Sequence, residues 1–145
     1  MRHYADTSYL FSYYGSDVNS PRADAWRQSH PVPLPLTSLH RLELRNALEL
    51  AVFQKRLTAR EAGEIRQTVE SDVRAGLLTE RELGPDRLFG DAETLAANHT
   101  AQIGTRSLDI VHVAAALLLE VEEFATFDQR QRALATRAGL RVVAL

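Results

Sequence analysis

This chain should fold as an α/β protein whose parallel strands are covered by helices on both faces. Short apolar segments that read as strands alternate with longer helical stretches, an order that favours a parallel sheet. One stretch, Ile110 to Leu119, is almost wholly apolar, as suits a helix buried on every side. The first segment, Arg2 to Ala5, runs straight into Asp6-Thr7-Ser8, side chains that cap a helix N-terminus. A strand feeding a helix within one turn is how an α/β unit opens.

The helix capped by Asp6-Thr7-Ser8 runs through Tyr13. Ser20-Pro21 starts a second, ending near His30, with proline at the favoured first helical position. Val32 to Leu36 is expected as a short strand whose pairing is limited by Pro31, Pro33 and Pro35. Thr37 or Ser38 caps the next helix, which extends to Arg56. At about 100° per residue, Leu39, Leu42, Asn46, Ala47 and Leu50 gather around Glu43, while Arg41, Arg45 and Glu49 fall opposite. Glu43 is therefore expected to face inward.

Thr58 and Glu61 form a capping box for a helix to Ala75, stopped by Gly76. The two long helices should make a hairpin. Residues 77–90 are the least legible, with Leu77-Leu78 or Arg87 to Phe89 as a candidate strand. Asp91 is expected to cap a helix to Ile103, ended by Gly104, and Ser107 to cap the apolar one. Glu123 to Phe127 reads as a strand, Asp128 to Ala138 as a helix ended by Gly139, and Arg141 to Leu145 as the last strand.

A length of 145 residues suits one domain, 1–145, burying roughly two-thirds of its unfolded surface. No run of about 18 apolar residues is present, and the start lacks a signal-peptide layout, so a cytoplasmic protein without a membrane partner is expected. The absence of cysteine excludes disulfides, thiolate ligands and a cysteine nucleophile. A net charge of −2 does not mark a nucleic-acid binder, yet local patches rather than totals govern such binding.

Four acidic residues stand out against this frame. Asp6 closes the first strand, Glu43 interrupts the inward stripe of its helix, Asp109 opens the apolar helix, and Asp128 ends an apolar strand. In parallel α/β sheets ligands bind beyond the carboxyl ends of the strands, where Asp6 and Asp128 should emerge. Carboxylates converging there would repel one another, and a divalent cation relieves that repulsion. Oxygen ligands without His or Cys suit Mg²⁺ or Mn²⁺, and such an ion could drive phosphodiester hydrolysis without a protein nucleophile. Each acid also has a structural alternative. Asp6, Asp109 and Asp128 lie where helix caps are common, and Glu43 could pair with a buried arginine.

Four blocks containing these acids resemble the PIN-domain ribonucleases, most closely the VapC-type toxins of VapBC toxin–antitoxin pairs. They are YADTSYL at Tyr4 to Leu10, TSLHRLELRNAL at Thr37 to Leu48, TRSLDIVHVAAAL at Thr105 to Leu117, and FATFDQR at Phe124 to Arg130. Their order and spacing match the family across nearly the whole chain, least well at 77–90. The resemblance places Asp6, Glu43, Asp109 and Asp128 at the family's acidic metal positions and Thr126 at a supporting hydroxyl position. It implies a three-layer PIN-like α/β/α fold with a parallel, roughly five-stranded sheet. It also implies Mg²⁺- or Mn²⁺-dependent cleavage of an RNA substrate and a homodimer. The cognate partner would be a small VapB-like antitoxin, its tail lying beside the long helices with a basic side chain in the acidic pocket.

Ser8, Asn46 and Arg130 are further candidates, for holding a water, orienting a carboxylate and touching a phosphate. His112 and His99 are read as core residues, and Tyr9, Tyr13, Tyr14 and Trp26 as core or interface. A second reading is a catalytically idle PIN-like scaffold that binds RNA or protein, but all four acidic positions are filled. A phosphotransfer domain would need a lysine beside its aspartate, and the sole lysine, Lys55, lies at the far end of a helix.

Overall fold

The computed structural model describes residues 1–145, which form two compact units: Met1–Asp6 with Glu82–Leu145, and Thr7–Arg81. The first contains strands β1 (His3–Ala5), β4 (Glu123–Ala125) and β5 (Arg141–Val142), and helices α5 (Pro85–Ile103), α6 (Ser107–Leu118) and α7 (Gln129–Arg137). Its sheet runs in the order β1-β4-β5, and both pairings are parallel. Asp6 N–H donates to the Ala125 carbonyl at 3.0 Å, carrying the β1 ladder one residue further.

Glu123 faces His3 on one side and Arg141 on the other in strand register. It accepts from His3 Nδ1 at 2.6 Å and from Arg141. Burial works to raise the Glu123 pKa, but the Arg141 hydrogen bond and the nearby positive charges outweigh it and hold the carboxyl below its usual range.

The core of this unit is built on Tyr4 and Phe124, both fully buried, with rings stacked 5.4 Å apart. Tyr4 Oη hydrogen-bonds His112 Nδ1 at 2.7 Å, so His112 is the core histidine expected. Helix α6 is buried without a break from Ile110 to Ala116, which is what an all-apolar helix requires.

Helix α7 ends in a Schellman motif. Leu140 N–H donates to Ala135 O at 3.0 Å and Gly139 N–H to Thr136 O at 3.2 Å, with Gly139 at φ +91°. A side chain at that φ is strained, so Gly139→Ala should cost about 1–2 kcal/mol of unfolding free energy. Urea titration checks this, and an unchanged midpoint would contradict it.

The second unit contains helices α1 (Thr7–Tyr14), α2 (Ser20–Ser29), α3 (Ser38–Phe53) and α4 (Ala59–Arg74), with strands β2 (Leu34–Leu36) and β3 (Leu78–Glu80). Strands β2 and β3 pair in parallel. Leu34 N–H donates to Leu77 O at 3.1 Å, so the Pro35 nitrogen, one residue on, faces away from β3 and costs no ladder bond. The buried Arg27 guanidinium donates to the carbonyls of His30, Val32 and Leu77, tying the chain before β2 to the chain before β3. Tyr9 packs edge-on against Trp26 with centroids 5.2 Å apart, and its hydroxyl donates to Ala23 O at 2.8 Å.

Helices α3 and α4 form the expected hairpin, packed against each other. Thr58 and Glu61 make the expected capping box, and Thr37 makes one with His40, whose ring accepts the Thr37 N–H at 3.0 Å.

Several expectations need correction. All five strands run parallel, but they are hydrogen-bonded as three and two within the separate units, not as one five-stranded sheet. These strands have only two or three residues each, so each ladder is short. Residues Arg87 to Phe89 are helical, because α5 starts at Pro85 rather than after Asp91. Asp91 instead accepts from Arg87 at 3.1 Å, one turn back on the same helix. The N-cap of α6 is Arg106, not Ser107.

The buried face of α3 is His40, Leu44, Leu48 and Ala51. Leu42 and Leu50 are exposed, and so is Asn46, which does not face inward. Glu43 lies half-buried at the margin of that face.

Candidate active site

In the first unit, three of the four expected acids are joined by a continuous run of hydrogen bonds. Asp6, fully buried, follows β1 and accepts from Thr126 Oγ1 at 2.8 Å. Thr126, also fully buried just past β4, accepts in turn from the Asp128 N–H at 2.9 Å. Asp128 is the N-cap of α7, its carboxylate accepting from the Gln131 N–H at 2.9 Å. The Gln131 side chain donates from Nε2 to Asp109 Oδ1 at 3.1 Å. Asp109 Oδ2 accepts from the Arg106 N–H at 3.3 Å.

Asp6, Thr126, Asp128, Gln131 and Asp109 therefore form one polar network. It lies beyond the carboxyl ends of β1 and β4, where open parallel sheets place their sites. Each link follows from local structure. A parallel strand ends, the chain turns, and the turn presents a helix N-terminus whose first-turn N–H groups need acceptors. The capping role weighed for Asp128 is real, and here it coexists with a place in the acidic network. Thr126 takes its expected supporting position.

Glu43 belongs to the second unit, where its carboxylate accepts from Thr7 Oγ1 at 2.8 Å. Thr7 is the residue directly after Asp6. Ser8 is half-buried in the first turn of α1, and Arg130 is exposed at the second position of α7.

The donor set fits Mg²⁺ or Mn²⁺ in kind, being carboxylates with no thiolate. It does not form a ready-made cage: no group of three or more His, Asp or Glu side chains is placed to hold an ion. Mg²⁺ tolerates that, since it keeps several waters and needs only one or two carboxylates besides substrate oxygens.

Gln131 escaped the sequence reasoning. Its signal was an N-cap aspartate followed three residues later by glutamine, the capping-box pattern. In a capping box the glutamine side chain would return to the N-cap N–H. Thr126 already occupies that N–H, so the Gln131 amide reaches Asp109 instead.

The second unit also carries a groove of about 630 Å³ between α3 and α4. Its floor is apolar, from Leu36, Leu44, Leu48 and Val69, and Arg41, Arg45, Arg66 and Arg74 line it too. Arg41 is already paired with Glu70 and Glu80.

No protein-family model matches this sequence, and no curated protein is significantly similar to it. Solved structures are similar in fold. VapC20 of Mycobacterium tuberculosis, described as a sarcin–ricin-loop-cleaving toxin, superposes with a TM-score of 0.72 at 17% identity, covering 99% of both chains. FitAcB of Neisseria gonorrhoeae gives 0.66 at 19% identity, covering 98% of this chain and 96% of its own. DNA-bound VapBC of Salmonella typhimurium gives 0.61 at 13% identity, covering 99% and 97%. This chain has the PIN-domain fold of those toxin–antitoxin proteins.

Proposed function

We propose that this chain is a toxin-type endoribonuclease, dependent on Mg²⁺ or Mn²⁺ and silenced by a small antitoxin. The observation that carries the proposal is the buried Asp6 carboxylate, linked through Thr126 to Asp128 beyond the ends of β1 and β4. That network occupies the ligand edge of a fold shared with a toxin described as cleaving ribosomal RNA at its sarcin–ricin loop.

In this reading Asp6, Asp109 and Asp128 hold the cation, with Glu43 as a fourth ligand. Bound there, the ion would stabilise charge on a phosphate oxygen and lower the pKa of an attacking water. The Thr126 hydroxyl orients Asp6 by donating to it. Arg130, exposed in the first turn of α7, is placed to meet an RNA phosphate. Ser8 would hold a bound water, and Asn46, being exposed, would touch substrate rather than a carboxylate.

The apolar floor and arginines of the α3–α4 groove would suit an antitoxin tail carrying apolar and acidic side chains. The active assembly is proposed as a homodimer.

RNA cleavage by the purified chain should disappear with EDTA and return on adding Mg²⁺. Cleavage that persists in chelator would overturn the metal assignment. A chain that binds RNA without cutting it at any Mg²⁺ or Mn²⁺ concentration would instead be the idle scaffold.

A further inference from the structure

Gln131 presents both ends of its amide in a buried position of the acidic network, and only one end is used. The residue is 5% exposed. Its Nε2 donates to Asp109 Oδ1 at 3.1 Å, while its Oε1 is buried and accepts no hydrogen bond from any group of the chain. A buried acceptor without a donor costs about 1–3 kcal/mol. Exchanging the amide ends offers no relief, since it would set Oε1 against the Asp109 carboxylate.

The backbone also explains why the side chain is available. Asp128 caps the Gln131 N–H, and Thr126 takes the Asp128 N–H. Nothing at the helix start therefore calls on the Gln131 amide. A glutamine kept in such a place satisfies an acceptor on one side and needs a donor on the other. Water in a cation's hydration shell is a strong donor, and Mg²⁺ and Mn²⁺ retain several such waters.

We propose that Gln131 is a positioning residue of the acidic site: Nε2 fixes the Asp109 carboxylate, and Oε1 accepts from a water held by the divalent cation. This rests on the metal-dependent reading above and extends it to a neutral residue. Through Nε2, Gln131 sets the rotamer of an acidic ligand. Through Oε1, it orders one water of the shell without contributing charge. Residues that orient ligands in this way typically change metal affinity 10–100-fold when replaced.

The test is calorimetric titration of the full chain with Mn²⁺, comparing the parent with Gln131→Met. Methionine keeps the length and the burial but removes both hydrogen-bonding ends. The variant should bind Mn²⁺ at least about tenfold more weakly. Its melting temperature should hold or rise, because a buried unmet acceptor is gone. Water-proton relaxation by the bound Mn²⁺ should also differ between the two proteins, since the ordered water loses its acceptor.

A merely structural Gln131 gives the reverse, a lower melting temperature with Mn²⁺ affinity and relaxation unchanged. That result overturns the proposal and leaves the metal reading standing. No Mn²⁺ uptake by the parent overturns both. Should Gln131→Met not fold, Gln131→Leu is read by the same measurements and the same criteria.

Discussion

Asp6→Asn is expected to reduce RNA cleavage about 10³-fold while the protein stays folded. The loss of a charge that acts on the reacting centre is commonly worth 10²–10³-fold, and a thousandfold corresponds to about 4 kcal/mol. Asparagine matches aspartate in shape, and its carbonyl can still accept from Thr126, which sits 2.8 Å from the native carboxylate. Asp6 is fully buried, so replacing a charge there by a neutral amide removes a desolvation cost. Stability should therefore hold or rise as activity falls. Single-turnover cleavage with excess enzyme, set beside a thermal melt, separates the two effects. A variant that cuts at the parental rate would remove Asp6 from the catalytic assignment.

Phe124→Ala should destabilise the chain by about 3–5 kcal/mol, a large share of the roughly 5–15 kcal/mol expected for the whole protein. Phe124 lies on β4, the middle strand of its sheet, with no exposed surface and its ring stacked on Tyr4. Truncation would leave a cavity beside a ring that cannot easily collapse into it. Phe53→Ala is the matched comparison: the same chemical change at the end of α3, where the ring is 83% exposed. Its expected effect is within about 0.5 kcal/mol. Urea unfolding of the two variants reads the difference directly, and equal losses would contradict the placement of the core.

The residues that went astray in the sequence show why some features were legible and others not. On α3, Leu39, Leu42 and Leu50 define one stripe, but His40, Leu44, Leu48 and Ala51 define another of equal helical quality. Periodicity cannot choose between two apolar faces. The packing chose the second, leaving Leu42 65% exposed. On α5 the Gly84-Pro85-Asp86 start was present, with proline at the first helical position, but Asp91 offered a competing cap. Thr58 with Glu61 had no such rival, and the structure has that box. His112 was placed correctly in the core because its neighbours are apolar in every direction, although its Tyr4 partner, 108 residues away, could not be read locally.

By itself, the order of apolar and capping residues determined an α/β chain, parallel strands, an all-buried α6, and acids stationed where strands give way to helices. Those features depend on contacts within a few residues, where spacing and capping chemistry leave little choice. Tertiary structure alone decided which stripe of α3 is buried and how the strands pair. It also decided that the hydroxyl of Thr126 and the amide of Gln131 join Asp6, Asp128 and Asp109. Such links span up to 120 residues of chain. A hydrogen bond forms only where folding sets a donor within about 3 Å of an acceptor, with the right direction.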